Sequence, residues 1–208
     1  GLDLMLDVAS SLAGELPDDD PFHEVAGGIP LTGELVEKGY SGNKGLGGFF
    51  RTVSGDGESS REAIDLDTGK YRPAIRPVLD TALKGEREGL RALVEANDKY
   101  GRFAWQILSR TLSYAASLVP ETSPELVPID EAMKLGYGWQ RGPFEMIDEL
   151  DAGWFCQRLA ADGLPVPDIL TTAANQSLYR VADNRVQHLR IDGSYKDIRR
   201  APGVARLG

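Results

Sequence analysis

The stretch Gly39-Tyr40-Ser41-Gly42-Asn43-Lys44-Gly45-Leu46-Gly47-Gly48-Phe49-Phe50 is the part of this sequence best suited to hold a ligand. Glycines at this density permit positive φ and let backbone come close to a bound group, and the Lys44 ammonium can reach a phosphate or pyrophosphate. A tight turn anchored by Phe49 and Phe50 accounts for the same residues without any ligand. Neither standard nucleotide pattern fits. No Gly-Lys-Ser/Thr follows a first glycine at the P-loop spacing, and the third glycine of the dinucleotide fingerprint is missing.

Other reactive side chains read more plainly as structural. Cys156 lies beside Trp154 and Phe155 with no histidine partner evident, which fits a small buried hydrophobe rather than a nucleophile. His23 and His188 are the only histidines, so a His-rich metal site is excluded and no metal is expected; both read as surface residues, in a turn and a strand. Glu145, Asp148, Glu149 and Asp151 look like an acid pair twice over, yet carboxylates early in a helix are explained by its positive N-terminal end. Asp18-Asp19-Asp20 reads as a solvated turn. Trp105, Trp139 and Trp154 are expected to fill a helical core rather than stack on a base.

With 23 basic against 32 acidic residues the formal charge is -9, whereas phosphate-tracking surfaces carry a basic excess, so nucleic acid and anionic membrane are not expected partners. No apolar run approaches the ~20 residues that span a bilayer, and no signal-peptide pattern opens the sequence. One cysteine cannot form an internal disulfide, which suits a reducing, cytoplasmic setting.

The elements that position these residues are mainly helices. Leu2, Met5, Leu6, Ala9, Leu12, Ala13 and Leu16 recur at helical spacing until Pro17 stops the pattern. A short helix is expected over 31–37, a loop or linker over 52–62, and two short extended pieces about a turn over 64–71. Helices resume at about Pro77, and the longest, about 98–118, carries Phe103, Trp105, Ile107, Leu108, Leu112, Tyr114 and Ala115, enough apolar surface to predict that it is largely buried. The next is expected to carry a stripe of Ile129, Ala132, Met133 and Leu135 and to end at Gly136 and Gly138; one continuous helix then runs from Gly142-Pro143 to Gly163 and Pro165. Beyond about 171 the pattern changes to short strands, 179–181, 185–191 and 195–198, turning at Asp183-Asn184 and Asp192-Gly193.

A shift of 148 places Leu2-Asp3 on Leu150-Asp151, Ala13 on Ala161 and Leu16-Pro17 on Leu164-Pro165, five identities in the sixteen positions 2–17. Both stretches are amphipathic helices closed by Leu-Pro, as two copies of one unit would be. The second copy is preceded by Gly142-Pro143-Phe144-Glu145-Met146-Ile147-Asp148, and the chain is expected to begin inside the first copy.

The run Ile129-Asp130-Glu131-Ala132-Met133-Lys134-Leu135-Gly136-Tyr137-Gly138-Trp139, followed by 142–148, resembles the C-terminal domain of 3-hydroxyacyl-CoA dehydrogenases. Leu35-Val36-Glu37-Lys38-Gly39 and Gly42-Asn43-Lys44 through Gly48-Phe49-Phe50 resemble the segment that ends such a domain. The resemblance implies a mainly α fold of duplicated C-terminal-type helical units: a truncated first unit over 1–55, a second over 56–170, and a β-rich tail or linker over 171–208. It implies a parent enzyme that oxidises (S)-3-hydroxyacyl-CoA to 3-ketoacyl-CoA with NAD in fatty-acid β-oxidation. The histidine base and its glutamate belong to a Rossmann domain absent from these residues, so no catalytic residue is expected here and the piece alone is expected to be inactive. The helical part would close one side of the acyl-CoA cleft, contact the Rossmann domain of the same chain and make homodimer contacts; an enoyl-CoA hydratase module follows in some multifunctional relatives. Lys44 matches a family lysine that approaches bound NAD, where an ammonium complements pyrophosphate or ribose oxygens. Gly45 stands where the family has threonine, Phe50 where it has a final tyrosine, and Leu135 where some relatives place a substrate-contacting tyrosine, so that last role is not carried over. The alternative is a non-catalytic helical scaffold for domain or subunit association.

Overall fold

The computed structural model describes residues 1–27, 30–55 and 58–198. About half of the chain is helical, the described residues hold two three-stranded antiparallel sheets, and the chain divides into two compact units, Gly1–Pro77 and Val78–Gly208.

The first unit runs α1 (Leu2–Glu15), α2 (His23–Ala26), α3 (Pro30–Glu37), β1 (Phe50–Gly55), β2 (Glu58–Ile64) and β3 (Tyr71–Pro73). The apolar spacing in α1 does form a helix, which stops at the extended residue Leu16 ahead of Pro17. Leu35 and Ile64 are buried, while Leu4, Met5, Val8 and Leu12 of α1 stay exposed. The polar stretch expected as a loop or linker over 52–62 is instead a hairpin, registered Arg51↔Glu62 and Val53↔Ser60. The sequence hides it because, of its described side chains, only Ile64 at the end of β2 is buried, so the stretch before it shows no apolar alternation. Cross-strand pairs between polar side chains hold it: Arg51 Nε donates to Glu62 at 2.7 Å, and the Arg61 guanidinium lies 4.6 Å from the Phe50 ring centre.

The second unit runs α4 (Asp80–Glu88), α5 (Leu90–Val94), α6 (Lys99–Ser117), α7 (Leu126–Tyr137), α8 (Pro143–Leu150), α9 (Ala152–Ala161) and α10 (Asp168–Thr172), then β4 (Tyr179–Ala182), β5 (Arg185–Leu189) and β6 (Tyr195–Asp197). Asp98 caps α6 by accepting from the amides of Tyr100 and Gly101. Leu112, Leu126, Phe144, Ile147, Leu150, Phe155, Leu159, Ile169, Leu170, Leu178 and Leu189 are fully buried, at about 1.5–3 kcal/mol for each large side chain withdrawn from water. Leu178 and Leu189 come from the sheet region, so the small sheet closes the same core the helices build. The β4–β5 turn is the two-residue hairpin its Asp-Asn pair predicts, with φ 50° at Asp183 and 59° at Asn184.

Four expectations change. The long α6 buries only one stripe, Gly101, Trp105, Ser109, Leu112 and Ala116, and leaves Phe103 and Ile107 on its outer face. In α7 the fully buried positions are Leu126 and Asp130; of the expected stripe Ile129 and Met133 are partly buried, while Ala132 and Leu135 are exposed. His188 is 1% exposed on β5 rather than at the surface, its Nε2 3.7 Å from Glu125 Oε2 ahead of α7. The continuous helix after Gly142 breaks at Asp151, which has φ 71° and accepts the Trp154 amide at 2.8 Å as the cap of α9. The step of five from Leu150 to Phe155 departs from helical spacing, and the break lets both side chains face the core.

Asp151→Ala removes the cap and keeps a Cβ at positive φ, whereas Asp151→Gly removes the cap and the steric cost together. Denaturant unfolding is therefore expected to rank wild type above Gly above Ala, with Ala lower than wild type by about 1 kcal/mol or more. A glycine variant less stable than the alanine variant contradicts the assigned role of the break.

Candidate functional site

The glycine loop of the first unit starts where α3 stops. Gly39, at φ 83°, closes the helix with its amide on Val36 O at 2.9 Å, while the Tyr40 amide reaches Leu35 O at 2.8 Å, a Schellman ending. Gly42 and Gly47 then bridge, with the Gly42 amide 2.5 Å from Gly47 O, and enclose a four-residue tip of Asn43, Lys44, Gly45 and Leu46. At Gly47, φ 125° and the nearness of the Arg51 side chain leave no room for a Cβ. The glycines expected to permit positive φ do so at 39, 42 and 47.

Lys44 is exposed at this tip and has no hydrogen-bond or ion-pair partner among the described residues. An ammonium without a carboxylate beside it, carried on a narrow backbone turn, suits a phosphate or pyrophosphate oxygen, so the residues present are compatible with an anionic group such as a dinucleotide. The dull reading is only half met: Phe49 is partly buried, and Phe50 is half exposed at the start of β1.

The second unit brings together carboxylates that sequence reasoning left apart. Asp130, 1% exposed on α7, accepts the Phe144 amide at 2.8 Å, the Glu145 amide at 3.3 Å and the Tyr179 hydroxyl at 2.7 Å. Asp148, on α8, accepts the amides of Leu178 and Tyr179 at 2.7 Å each. Burial pushes the Asp130 carboxyl up to about 6, against the pull of those donors, and raises Asp148 for the same reason. Tyr179 is raised too, first by burial and then by the Asp130 charge. Lys134 bridges Glu145 at 2.6 Å and Glu131 at 3.3 Å; burial pulls its ammonium down, but the two carboxylates hold it above its usual range. A Cβ at Gly142 would run into the Asp130 carboxylate, so glycine is required where α8 meets α7.

This cluster is closed to ligands, and its donors and acceptors are spent on one another. The acids expected to complement a helix N-terminus are structural as expected, though by specific contacts: Glu145 accepts the Gly142 amide, Glu149 accepts the Leu90 amide at 2.9 Å and pairs with Arg141, and Asp151 caps α9. Cys156 is buried, with its Sγ 3.1 Å from Leu170 O and its thiol raised by burial, as a small core residue should be. Trp105 packs edge-on against Trp154 and Phe155, both at 5.7 Å, and its Nε1 donates to Asp162 at 2.5 Å; Trp139 is only half-buried. Asp130 and Tyr179 escaped sequence reading. The available signal was an acid on the α7 stripe twelve residues before the Gly-Pro that opens α8.

Both sheets are antiparallel, so the described residues contain no parallel sheet on which a dinucleotide fold could be built. They hold no cluster of potential metal ligands and no helix long and apolar enough to cross a membrane. The fold is that of a helical domain closed by a small sheet. Residues 101–193 match the family model described as the 3-hydroxyacyl-CoA dehydrogenase C-terminal domain. The match takes in β4 and β5, beyond the change of pattern at about 171.

The chain is 31% identical over 181 residues to a putative fatty acid oxidation complex trifunctional enzyme of Rickettsia prowazekii (strain Madrid E), covering 86% of this chain and 24% of that protein. It is 32% identical over 168 residues to the protein of the same description in Rickettsia felis (strain ATCC VR-1525 / URRWXCal2), covering 80% and 22%. It is 32% identical over 169 residues to a probable 3-hydroxyacyl-CoA dehydrogenase of Bacillus subtilis (strain 168), covering 80% and 21%. The chain thus spans less than a quarter of the length of each relative. No solved structure matches it.

A carboxyl held above its unfolded value binds its proton more tightly in the folded state, so the stability it contributes grows as pH falls through about 6 and levels off below about 4, where the unfolded group is protonated too. The unfolding free energy of wild type minus that of Asp130→Asn is therefore expected to rise from pH 7.5 to pH 4.5. A difference independent of pH contradicts the assigned state of Asp130.

Proposed function

We propose that this chain is the C-terminal helical part of an NAD-dependent 3-hydroxyacyl-CoA dehydrogenase of fatty-acid β-oxidation, acting in the cytoplasm. The single observation that carries the reading is the C-terminal-domain match over 101–193. The parent oxidises (S)-3-hydroxyacyl-CoA to the 3-keto product, with hydride transfer and proton abstraction performed on a Rossmann domain of the same protein. These residues support one side of the acyl-CoA and NAD cleft and make domain or homodimer contacts, and they are not catalytic alone. An adjoining enoyl-CoA hydratase module is in keeping with the relatives described as trifunctional.

The two units are read as copies of one plan. What supports this is their order: α1, a Leu-Pro stop, short helices and a three-stranded sheet in one; α9, a Leu-Pro stop, α10 and a three-stranded sheet in the other. Within the first unit, Lys44 is assigned to the NAD pyrophosphate or ribose oxygens, supported by its exposure at the loop tip.

The alternative is a non-catalytic scaffold for domain or subunit association; the exposed row Leu4, Val8 and Leu12 on α1 suits a docking face under either reading. Lys44→Ala in the full-length protein separates the two. The dehydrogenase reading predicts an NAD dissociation constant raised by roughly three- to thirtyfold, the range for one charge-assisted contact. An unchanged constant, by titration calorimetry, favours the scaffold.

A further inference from the structure

We infer that Tyr71 is a positioning residue for Lys44, gripping both stems of the glycine loop from β3. The inference rests on the assignment of Lys44 to NAD. The Tyr71 hydroxyl donates to Gly48 O at 2.5 Å, on the stem that leaves the loop. Its ring lies 5.5 Å from that of Tyr40, on the stem that enters it. The opposite demand on the ring is met by Arg51, whose guanidinium sits 4.0 Å from the ring centre and is itself held by Glu62. One side chain therefore ties together the two ends of a segment whose tip makes no side-chain anchor of its own at Lys44.

A lysine has a long flexible stem, so the placement of its backbone decides where its ammonium can reach. Holding the stems before a ligand arrives removes part of the ordering cost of binding. Tyr71 touches no ligand in this account and acts only through the loop. Tyr71→Phe keeps the ring against Tyr40 and Arg51 and deletes only the bond to Gly48.

Two measurements test this. In the chain without ligand, Tyr71→Phe is expected to speed amide hydrogen exchange at Gly42, Gly45 and Leu46, whose amides bond within the loop, while the β4–β5 amides exchange as in wild type. Unchanged exchange at the loop overturns the inference. In the full-length protein, NAD dissociation constants form a cycle of wild type, Lys44→Ala, Tyr71→Phe and the double variant. Tyr71→Phe is expected to weaken NAD by about three- to tenfold alone and to add nothing in the Lys44→Ala background. Additive effects overturn the positioning role while leaving Lys44 in place. No effect from Lys44→Ala overturns the Lys44 assignment and the inference with it.

Discussion

The second unit depends on one buried carboxylate. Asp130 joins three elements through polar contacts: it sits on α7, receives the first amides of α8 and takes the hydroxyl of Tyr179 on β4. Burying an ionised carboxylate costs several kcal/mol unless hydrogen bonds offset it, and removing the acceptor leaves buried amides with nothing to replace water. Asp148 repeats the arrangement one turn further along α8, holding the amides on which β4 starts. The helices therefore cannot settle against the sheet in another register without stranding polar groups.

The same constraint links two stretches of sequence. The run 129–139 and the run 142–148 are the two halves of the clamp: Asp130 and Lys134 come from the first, the amides of Phe144 and Glu145 and the Glu145 carboxylate from the second. Most groups in this unit that are capable of chemistry are committed to holding its shape. Asp148, Glu149, Asp151 and Cys156 spend polar atoms on backbone, and Trp105 donates to the Asp162 carboxylate. The exposed ammonium of Lys44 stands in contrast.

Much of the fold was legible where local chemistry decides it. The Asp98 cap, the αL ending of α7 at Gly138 and the Asp183-Asn184 hairpin follow from short-range preferences. Burial of polar groups was not legible, because Asp130 and His188 have partners far away in sequence. The β1–β2 hairpin was missed because period-two hydrophobicity reports a buried face, and here only Ile64, at the end of β2, is buried. The Asp151 break shows only as a five-residue step in an otherwise regular pattern. At the candidate site, the glycines announced the loop, but Tyr71 lies 23 residues beyond the carbonyl it holds, beyond the reach of any motif.

The central claim is that these residues shape a dehydrogenase without performing its chemistry. The direct measurement is 3-hydroxyacyl-CoA-dependent NADH formation by this chain and, side by side, by the full-length protein. Activity confined to the full-length protein is the result the account predicts. NADH formation by the chain alone would contradict it, since the chemistry would then lie among residues assigned here to structure.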